Sequence, residues 1–312
     1  MIQNILTGIK CTGTPHIGNY LGAIKPAIER ADKDANSFYF MANYHALNQI
    51  TDAKELQQSV KEIACTWLAC GLDPKKTVFY RQSDIPEIFE LATILSNFTA
   101  KGLLDRAHAY KAAVQDGRDV NMGLYNYPVL MAADIILFDT NFVPVGADQK
   151  QHIEIAADIV KAFNAIYGKV LVVPEPLIKK EVATIPGLDG RKMSKSYGNT
   201  ISLFANEDEL LKCIKRITTD SSAPTDPKPT DHLIFQLYRH FANCELENRI
   251  GWGEAKQKLF EVMNAALKPM RERYEQLMKT AELENIFEDG TKRAREVART
   301  TLDRVRKAIG VI

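Results

Sequence analysis

The chain has few cysteines, and their spacing excludes several kinds of site. No two of them form a CxxC pair, and none has the Cys/His spacing of a zinc finger. A small, scattered and odd-numbered set is typical of free thiols in a reducing cytosol. We therefore expect a cytoplasmic protein without zinc, in which these thiols are unpaired: Cys11, Cys65, Cys70, Cys213 and Cys244.

Long apolar runs are also missing. No stretch approaches the ~18 consecutive apolar residues of a membrane span. The opening segment MIQNILTGIKCTG has no basic region, no long apolar region and no cleavage site of an export signal. We expect no association with a membrane.

An excess of one charge is absent as well, since 40 basic residues face 39 acidic ones. This balance argues against indiscriminate coating of nucleic acid, so any such binding would use local patches. The remaining composition, 46% hydrophobic and 25% charged over 312 residues, is that of an ordinary globular protein with one large domain or two unequal ones.

Strands and helices alternate through the first two thirds of the chain. NILTGI, SFYFMANYHALN, TVFYRQSD and NFVPV are predicted strands, and IGNYLGAIKPAIERA is one of the helices between them. KVLVVPEPLI leads from the last of these units to the segment 187–199. This alternation predicts an α/β fold, a Rossmann-like parallel sheet with helices on both faces and ligands beyond the carboxyl ends of the strands.

The domain boundaries follow from where these signals change. We expect a catalytic domain over 1–201 with a helical insertion around 86–134. Strand patterns disappear after about residue 202, which predicts a smaller all-helical domain over 202–290. A last helix, 291–312, is expected to pack back on the body.

The segment GIKCTGTPHIGNY places His16, Gly18 and Asn19 at the first turn of a helix, directly after a strand. Helix N-termini bind phosphate through unpaired N–H groups and the positive end of the dipole. His16 could donate a hydrogen bond to a phosphoryl group, although a polar helix cap is the simpler interpretation. Neither GxGxxG nor GxxxxGK[ST] is present.

The segment GLDGRKMSKSYGN, 187–199, sets three cations in a stretch rich in Gly and Ser. An idle surface loop is one interpretation. The other is a flexible loop whose Lys192 and Lys195 close over phosphates as charge develops on them.

Two short motifs together carry a family resemblance. HIGN at 16–19 resembles the HIGH signature of class I aminoacyl-tRNA synthetases, and KMSKS at 192–196 matches their second signature. GLYNYPVLMAADIILF and VPVGADQKQHIEIAADI resemble the tryptophanyl members of that class. The resemblance implies a homodimer that activates tryptophan with ATP and Mg²⁺ and transfers it to tRNA-Trp.

The resemblance also implies roles for individual residues. The catalytic residues would be Lys192, Lys195, His16 and Asn19. ATP would be bound by Lys10, Cys11, Thr12, Gly18, Asn19, Gly146, Ala147, Asp148, Val182, Lys192, Met193, Ser194, Lys195 and Ser196. Tryptophan would be bound by Asp134, Tyr127, Met131, Gln149, Val143, Val145 and His45. Mg²⁺ would be held by the phosphates of ATP, without protein ligands, and no iron–sulfur cluster is expected.

Alternatives remain for two acids. Asp134 lies in an apolar stretch of sequence, where a carboxylate needs a hydrogen-bond donor. The donor could come from the protein or be the indole N–H of a ligand. Asp148 could hydrogen-bond ribose hydroxyls, cap the following helix, or do both. His152 and Glu154 are two residues apart on a helix and do not converge, so we expect them to be surface groups.

Departures from the family pattern concern the phosphate side. Lys10 and Cys11 stand in IKCTG where bacterial members read roughly IQPTG, and Lys10 is expected to contact the triphosphate. Alternative functions are a tyrosyl-type synthetase and a non-catalytic paralogue that binds tRNA or senses tryptophan.

Contacts with tRNA and between subunits are also expected. Phosphates could be bound by a basic helix face comprising Lys292, Arg293, Arg295, Arg299, Arg304, Arg306 and Lys307. Arg271, Arg273 and Tyr274 are further candidates, and the apolar helices between 55 and 105 are the expected dimer interface.

Overall fold

A computed structural model describes residues 3–31, 36–178 and 185–312. Val182, which was expected at the nucleotide, lies outside these ranges. Within them, no helix is both long and apolar enough to cross a membrane.

A five-stranded parallel sheet forms the centre of the body, in the order β3-β2-β1-β4-β5. The predicted α/β class with a Rossmann-like sheet is confirmed. Strand order reverses between β1 and β4, and in open sheets this is where a ligand crevice forms at the carboxyl ends. The strands are β1 Asn4–Ile9, β2 Asn36–Met41, β3 Thr77–Arg81, β4 Phe142–Val145 and β5 Glu175–Ile178.

Helices surround this sheet and form the C-terminal part together with the loops that join them. In the body they are α1 Ile17–Asn19, α2 Lys25–Ala31, α3 Asn43–Ala46, α4 Ala53–Ala69, α5 Glu87–Ser96, α6 Lys101–Leu104, α7 His108–Gln115, α8 Met122–Ile136 and α9 Lys150–Tyr167. The C-terminal part contains α10 Glu207–Lys215, α11 Leu233–Ala242, α12 Trp252–Lys279 and α13 Glu282–Ile309.

Alternate residues of the central strands face two separate cores. In β2, Tyr39 and Met41 pack into one cluster with α4 and with α10 to α12. Phe38 and Phe40 pack into the other with α5, α8, α9 and α13. Both faces of the sheet are therefore covered, as the apolar strand sequences predict.

Two predicted strands are shorter in the structure. SFYFMANYHALN ends as a strand at Met41 and continues as α3, and TVFYRQSD turns at Arg81 into the 3₁₀ turn Gln82–Asp84. The polar residues that follow the two strands hydrogen-bond to each other: Asn43 Nδ2 donates to Ser83 Oγ at 2.8 Å, and Ser83 N donates to Asn43 Oδ1 at 3.1 Å. The segment KVLVVPEPLI, for which no strand was predicted, forms β5 over its last residues.

The predicted first helix contains a π-helical segment, Tyr20–Ile24, between α1 and α2. Pro26 follows it within α2 and has no N–H to donate to the carbonyl four residues earlier. The π-helical turn lies next to the hydrogen bond that Pro26 cannot make. Single π-helical turns are frequent at functional sites.

The last helix, α13, runs without a break past the expected boundary at residue 290 and lies on the body. Gly290 allows this approach, because a β-carbon there would lie 1.8 Å from the carbonyl oxygen of Phe79. Ala294, Ala298 and Leu302 are fully buried beyond it.

The arginines on the basic face of α13 are paired within the chain, and the expected contact of this face with tRNA stays a prediction. Glu87 Oε1 accepts from Arg295 Nη2 at 2.8 Å and from Arg299 Nε at 3.1 Å. Arg306 Nε donates to Glu90 at 2.7 Å, and Arg304 pairs with Asp139. Arg293 donates to the Pro74 carbonyl at 2.8 Å. These arginines attach the helix to the body because carboxylates and carbonyls of the body lie opposite them.

The three other candidates for tRNA contact are also engaged within the chain. Arg273 forms a bidentate salt bridge with Glu282, with N···O distances of 2.6 and 2.8 Å. Arg271 Nη1 donates to the Ala205 carbonyl at 3.0 Å. The ring of Tyr274 stacks on Phe204 with centroids 4.1 Å apart. Sequence could not show these partners, which are distant along the chain or across a turn.

Candidate active site

The crevice at the carboxyl end of β1 contains a cavity of about 490 Å³. Its lining includes Lys10, Thr12, His16, Asn19 and Lys195. The two sequence signatures therefore meet at one cavity. Ile17 N donates to the Ile201 carbonyl at 3.0 Å, which holds the first signature helix to the segment that follows the second.

His16 caps the helix that begins at Ile17. Asn19 N donates to His16 Nδ1 at 3.3 Å, and His16 N donates to Asn19 Oδ1 at 3.1 Å. Burial, and then the charge of Lys195, lower the pKa of His16, so the imidazole is neutral at neutral pH. Since Nδ1 accepts the cap bond, Nε2 carries the proton and can donate to a phosphoryl oxygen.

Gly18 lets the two signatures pack together. A β-carbon at this position would lie 3.1 Å from the His16 ring and 3.3 Å from Met193 Sδ. The side chain of Met193 lies in the core beneath the first signature, and its expected contact with ATP stays a prediction. It serves as an apolar anchor for the loop that carries the lysines.

Cys11 also has a buried side chain, and its expected role at the nucleotide stays a prediction. Its thiol is fully buried in the core and donates to the Ile9 carbonyl at 3.5 Å. Burial raises the pKa of this thiol to about 12. The small apolar character of Cys suits such a position, and the side chain does not face the cavity.

The loop 187–199 is organised by Asn199, which is buried. Its Oδ1 accepts from Ser194 N at 2.8 Å, and its Nδ2 donates to Asp189 at 2.7 Å and to the Lys192 carbonyl at 3.1 Å. This network fixes the backbone on both sides of Met193. The pKa of Asp189 is lowered to about 2, first by the Asn199 bond and then by Arg191.

The two predicted catalytic lysines differ from each other in their position relative to the cavity. Both side chains are exposed, but only Lys195 lies on the lining of the phosphate-side cavity. Lys192 is three residues before it, across the Met193 anchor. The hydroxyls of Ser194 and Ser196 lie 2.8 Å apart and hydrogen-bond to each other.

The turn after β4 borders the crevice from the other side. Gly146 and Ala147 are exposed, and Ala147–Gln149 is a 3₁₀ turn that leads into α9. Asp148 lies in this turn, but its side chain is outside the described part of the structure. Its role at ribose stays a prediction.

Two further cavities, of about 600 and 150 Å³, share Gly8, Phe40, Met131 and Gln149 in their linings. His45 and Tyr127 line the larger cavity, and Asp134, Val143 and Val145 line the smaller one. The structure therefore brings together every residue predicted to bind tryptophan. Gly8 also lines the phosphate-side cavity, which places the two parts of the site side by side.

Asp134 lies at the closed end of this pocket with only 1% of its surface exposed. His45 Nε2 is 2.8 Å from Oδ2, and Gln82 Nε2 donates to both oxygens at 2.9 Å. Burial raises the pKa of Asp134, and the bonds with His45 and Gln82 oppose that rise. The protein thus supplies donors of its own. A carboxylate has about four lone-pair sites, so acceptance from a ligand N–H is still open.

His152 corrects another expectation. It is 7% exposed rather than on the surface, and its Nε2 lies 2.8 Å from Tyr127 Oη on the wall of the larger cavity. Burial raises the pKa of Tyr127 to about 12. The clue in the sequence was position: His152 lies on the apolar stripe of α9 with Ile155, Ala156 and Ile159.

Within residues 3–31, 36–178 and 185–312, no three His, Cys, Asp or Glu side chains form a group that could hold a metal ion.

Comparison with known proteins agrees with this geometry. Residues 3–268 match the family described as tRNA synthetases class I (W and Y). Tryptophan–tRNA ligase from Pseudomonas putida is 50% identical over 333 aligned positions, which cover 100% of this chain and 74% of that protein. The chain belongs to the tryptophan–tRNA ligases of class I. The Xylella fastidiosa ligase (strain Temecula1) is 51% identical, with 100% of this chain and 76% of that protein covered.

Solved structures show the same family. Tryptophanyl-tRNA synthetase from Campylobacter jejuni superimposes with a TM-score of 0.91 at 42% identity, over 99% of this chain and 100% of that one. A second structure of the Campylobacter enzyme, complexed with ADP and tryptophan, has a TM-score of 0.89 at 43% identity, with the same coverage.

Proposed function

We propose that this chain is a tryptophan–tRNA ligase that forms tryptophanyl-adenylate from L-tryptophan and ATP and then transfers the tryptophanyl group to the 3′-terminal adenosine of tRNA-Trp. The observation that carries the proposal is the junction of two cavities. One ends on the buried Asp134 carboxylate, and the other is lined by His16 and Lys195. Gly8 lines both, so an amino acid and a nucleotide would meet there.

In the first reaction, a carboxylate oxygen of tryptophan attacks the α-phosphorus of ATP and the bond to pyrophosphate breaks. Charge then accumulates on the departing phosphates, and positioned cations and N–H donors stabilise it. We assign this role to Lys195, to Lys192 once the loop closes, to His16 through Nε2–H, and to Asn19. Lys10 contributes a further cation, and Mg²⁺ arrives with ATP, held by its phosphates.

Recognition of tryptophan centres on Asp134. Its carboxylate accepts the indole N–H, and Met131, Val143 and Val145 pack against the ring. Tyr127 and Gln149 hold the α-amino group, and His45 completes the wall. A buried acceptor rejects analogues that lack the donor, because such analogues leave it without its ligand partner.

The helical region 202–290 would read the anticodon, and two subunits would form a cytoplasmic homodimer. The interface would involve helices between 55 and 105. Five arginines of α13 already pair within the chain, so we assign the tRNA phosphates mainly to other cations.

Pyrophosphate exchange with tryptophan, with tyrosine and without an amino acid tests the proposal. We expect exchange that depends on tryptophan and is orders of magnitude weaker with tyrosine. Asp134→Ala should abolish most of it while leaving the circular dichroism spectrum unchanged. Asp158→Ala, which alters an exposed residue of α9, is the control.

Exchange that prefers tyrosine would contradict the assignment. So would near-normal exchange in Asp134→Ala. A protein that shows no exchange with any amino acid would instead be the non-catalytic paralogue.

A further inference from the structure

Gln82 is a fully buried polar residue that does not line either of the amino-acid cavities. It lies in the 3₁₀ turn after β3, and its Oε1 accepts from Tyr44 N at 3.1 Å. That bond determines the orientation of the Gln82 side-chain amide. The oxygen faces the backbone N–H of α3, so the nitrogen must face Asp134.

The amide nitrogen of Gln82 is 2.9 Å from each oxygen of Asp134. His45 Nε2 approaches Oδ2 at 2.8 Å. The carboxylate is thus held from two sides, by the turn after β2 and the turn after β3. The reciprocal Asn43–Ser83 hydrogen bonds tie these two turns together, so the donors keep a fixed spacing.

The charge state of Asp134 decides whether it can select an indole. An ionised carboxylate offers only acceptors, whereas a protonated one presents an O–H donor that can face the indole N–H. Burial favours the neutral form, and donated hydrogen bonds favour the charged form. The buried hydroxyl of Tyr80 has no hydrogen-bond partner within the described structure, so Gln82 and His45 are the donors identified at this carboxylate.

We propose that Gln82 is a specificity-determining positioning residue: its amide holds both oxygens of Asp134 so that the carboxylate stays an oriented acceptor for the substrate N–H. This inference rests on the proposed function. Gln82 acts through Asp134 and does not itself touch the substrate.

An analogue without the N–H separates this role from simple core filling. In β-(3-benzothienyl)alanine, sulfur replaces the indole N–H in a ring of nearly the same shape. The quantity to measure is the inhibition constant of this analogue in tryptophan-dependent pyrophosphate exchange, divided by the KM for tryptophan. A residue that only fills space would change both constants together.

Gln82→Met keeps the length of the side chain and removes the donor. We expect the ratio to fall about tenfold to hundredfold, since a hydrogen bond to a charged group is lost. The ratio should fall because the KM for tryptophan rises, while the inhibition constant of the analogue stays nearly unchanged. Gln82→Leu, which also lacks the donor, should lower the ratio similarly and serves if the Met variant fails to fold.

Thr301→Val on α13 is the matched control, because it also removes a buried donor to a carboxylate, that of Asp139 at 3.3 Å, and leaves the Gln82–Asp134 bonds in place. Its ratio should stay within about twofold of the unaltered protein. Equal losses for tryptophan and analogue in the Gln82 variants would overturn the inference. Absence of tryptophan-dependent exchange in the unaltered protein would overturn the proposed function instead, so the two failures are distinguishable.

Discussion

The amino-acid end and the phosphate end of the site are built in opposite ways. Asp134 is 1% exposed and is held by donors from two turns that follow neighbouring strands. Lys192 and Lys195 project from an exposed loop that two buried side chains, Met193 and Asn199, hold in place. In the proposed function, selection would therefore use groups fixed by the sheet, whereas charge stabilisation would use groups on the exposed loop.

This contrast has a kinetic consequence. Changes at the phosphate end should lower kcat, because these interactions strengthen only as charge develops. Changes at the amino-acid end should raise the KM for tryptophan. A loop variant that altered only KM, or a pocket variant that altered only kcat, would break the comparison.

The largest effect is expected for Lys195→Ala. This ammonium group lines the phosphate-side cavity, and removal of one positioned electrostatic group typically costs about 10²–10³-fold in kcat. Single-turnover formation of the adenylate should slow by that factor. Lys212→Ala, which alters an exposed lysine on α10, should leave the rate unchanged. Equal rates in the two variants would show that Lys195 does not act on the phosphates.

Asn199→Ala should have the next largest effect. It removes the amide that joins Ser194 N, Asp189 and the Lys192 carbonyl, and should reduce kcat about tenfold with an unchanged KM for tryptophan. Asn164 is a matched control, since its side chain also bonds several backbone groups, at 170–171. Asn164→Ala should lower the melting temperature and spare kcat. A spared kcat in Asn199→Ala would contradict the assigned role.

Tyr127→Phe should affect the amino-acid end more mildly. It removes the hydroxyl that bonds His152 Nε2 at 2.8 Å and would raise the KM for tryptophan about threefold to tenfold. Tyr125→Phe on the same helix removes the bond to Asp105 at 2.8 Å and is the control. A fall in kcat with constant KM would place Tyr127 with the phosphate-side groups instead.

The smallest effect is expected at Cys11. Because its thiol is buried with a pKa of about 12, it stays protonated through pH 9 and becomes a thiolate only above that range. Iodoacetamide at pH 8 should therefore modify the exposed Cys244 and spare Cys11, as peptide mass spectrometry would show. Cys11→Ala should leave the KM for ATP within twofold and lower stability by about 1 kcal/mol. A large rise in that KM would restore Cys11 to the nucleotide site.

Sequence reasoning predicted the α/β class and most elements because periodicity is a local signal. The strands β1 and β4 and the helices α4 and α9 follow directly from their apolar patterns. The ends of β2 and β3 were predicted too long. Asn43 and Ser83 stop these strands by bonding to each other across 40 residues of sequence.

The pocket residues were found through the family motifs, whereas Gln82 and His152 were missed. Gln82 was interpreted as the end of a strand, and its partner Asp134 is 52 residues away in the chain. His152 was assigned to the surface from its spacing relative to Glu154. In both cases the decisive fact is which residue lies opposite in space.

The sequence by itself determined the alternation of strands and helices, the two signature segments and the buried acid of α8, because these depend on local pattern and motif. Only the tertiary structure decided that Asp134 has donors of its own, that Cys11 and Met193 belong to the core, and that the arginines of α13 bind the body. The physical reason is that a polar or charged side chain takes its role from its partners, and parallel strands with crossover helices bring those partners together from distant parts of the chain.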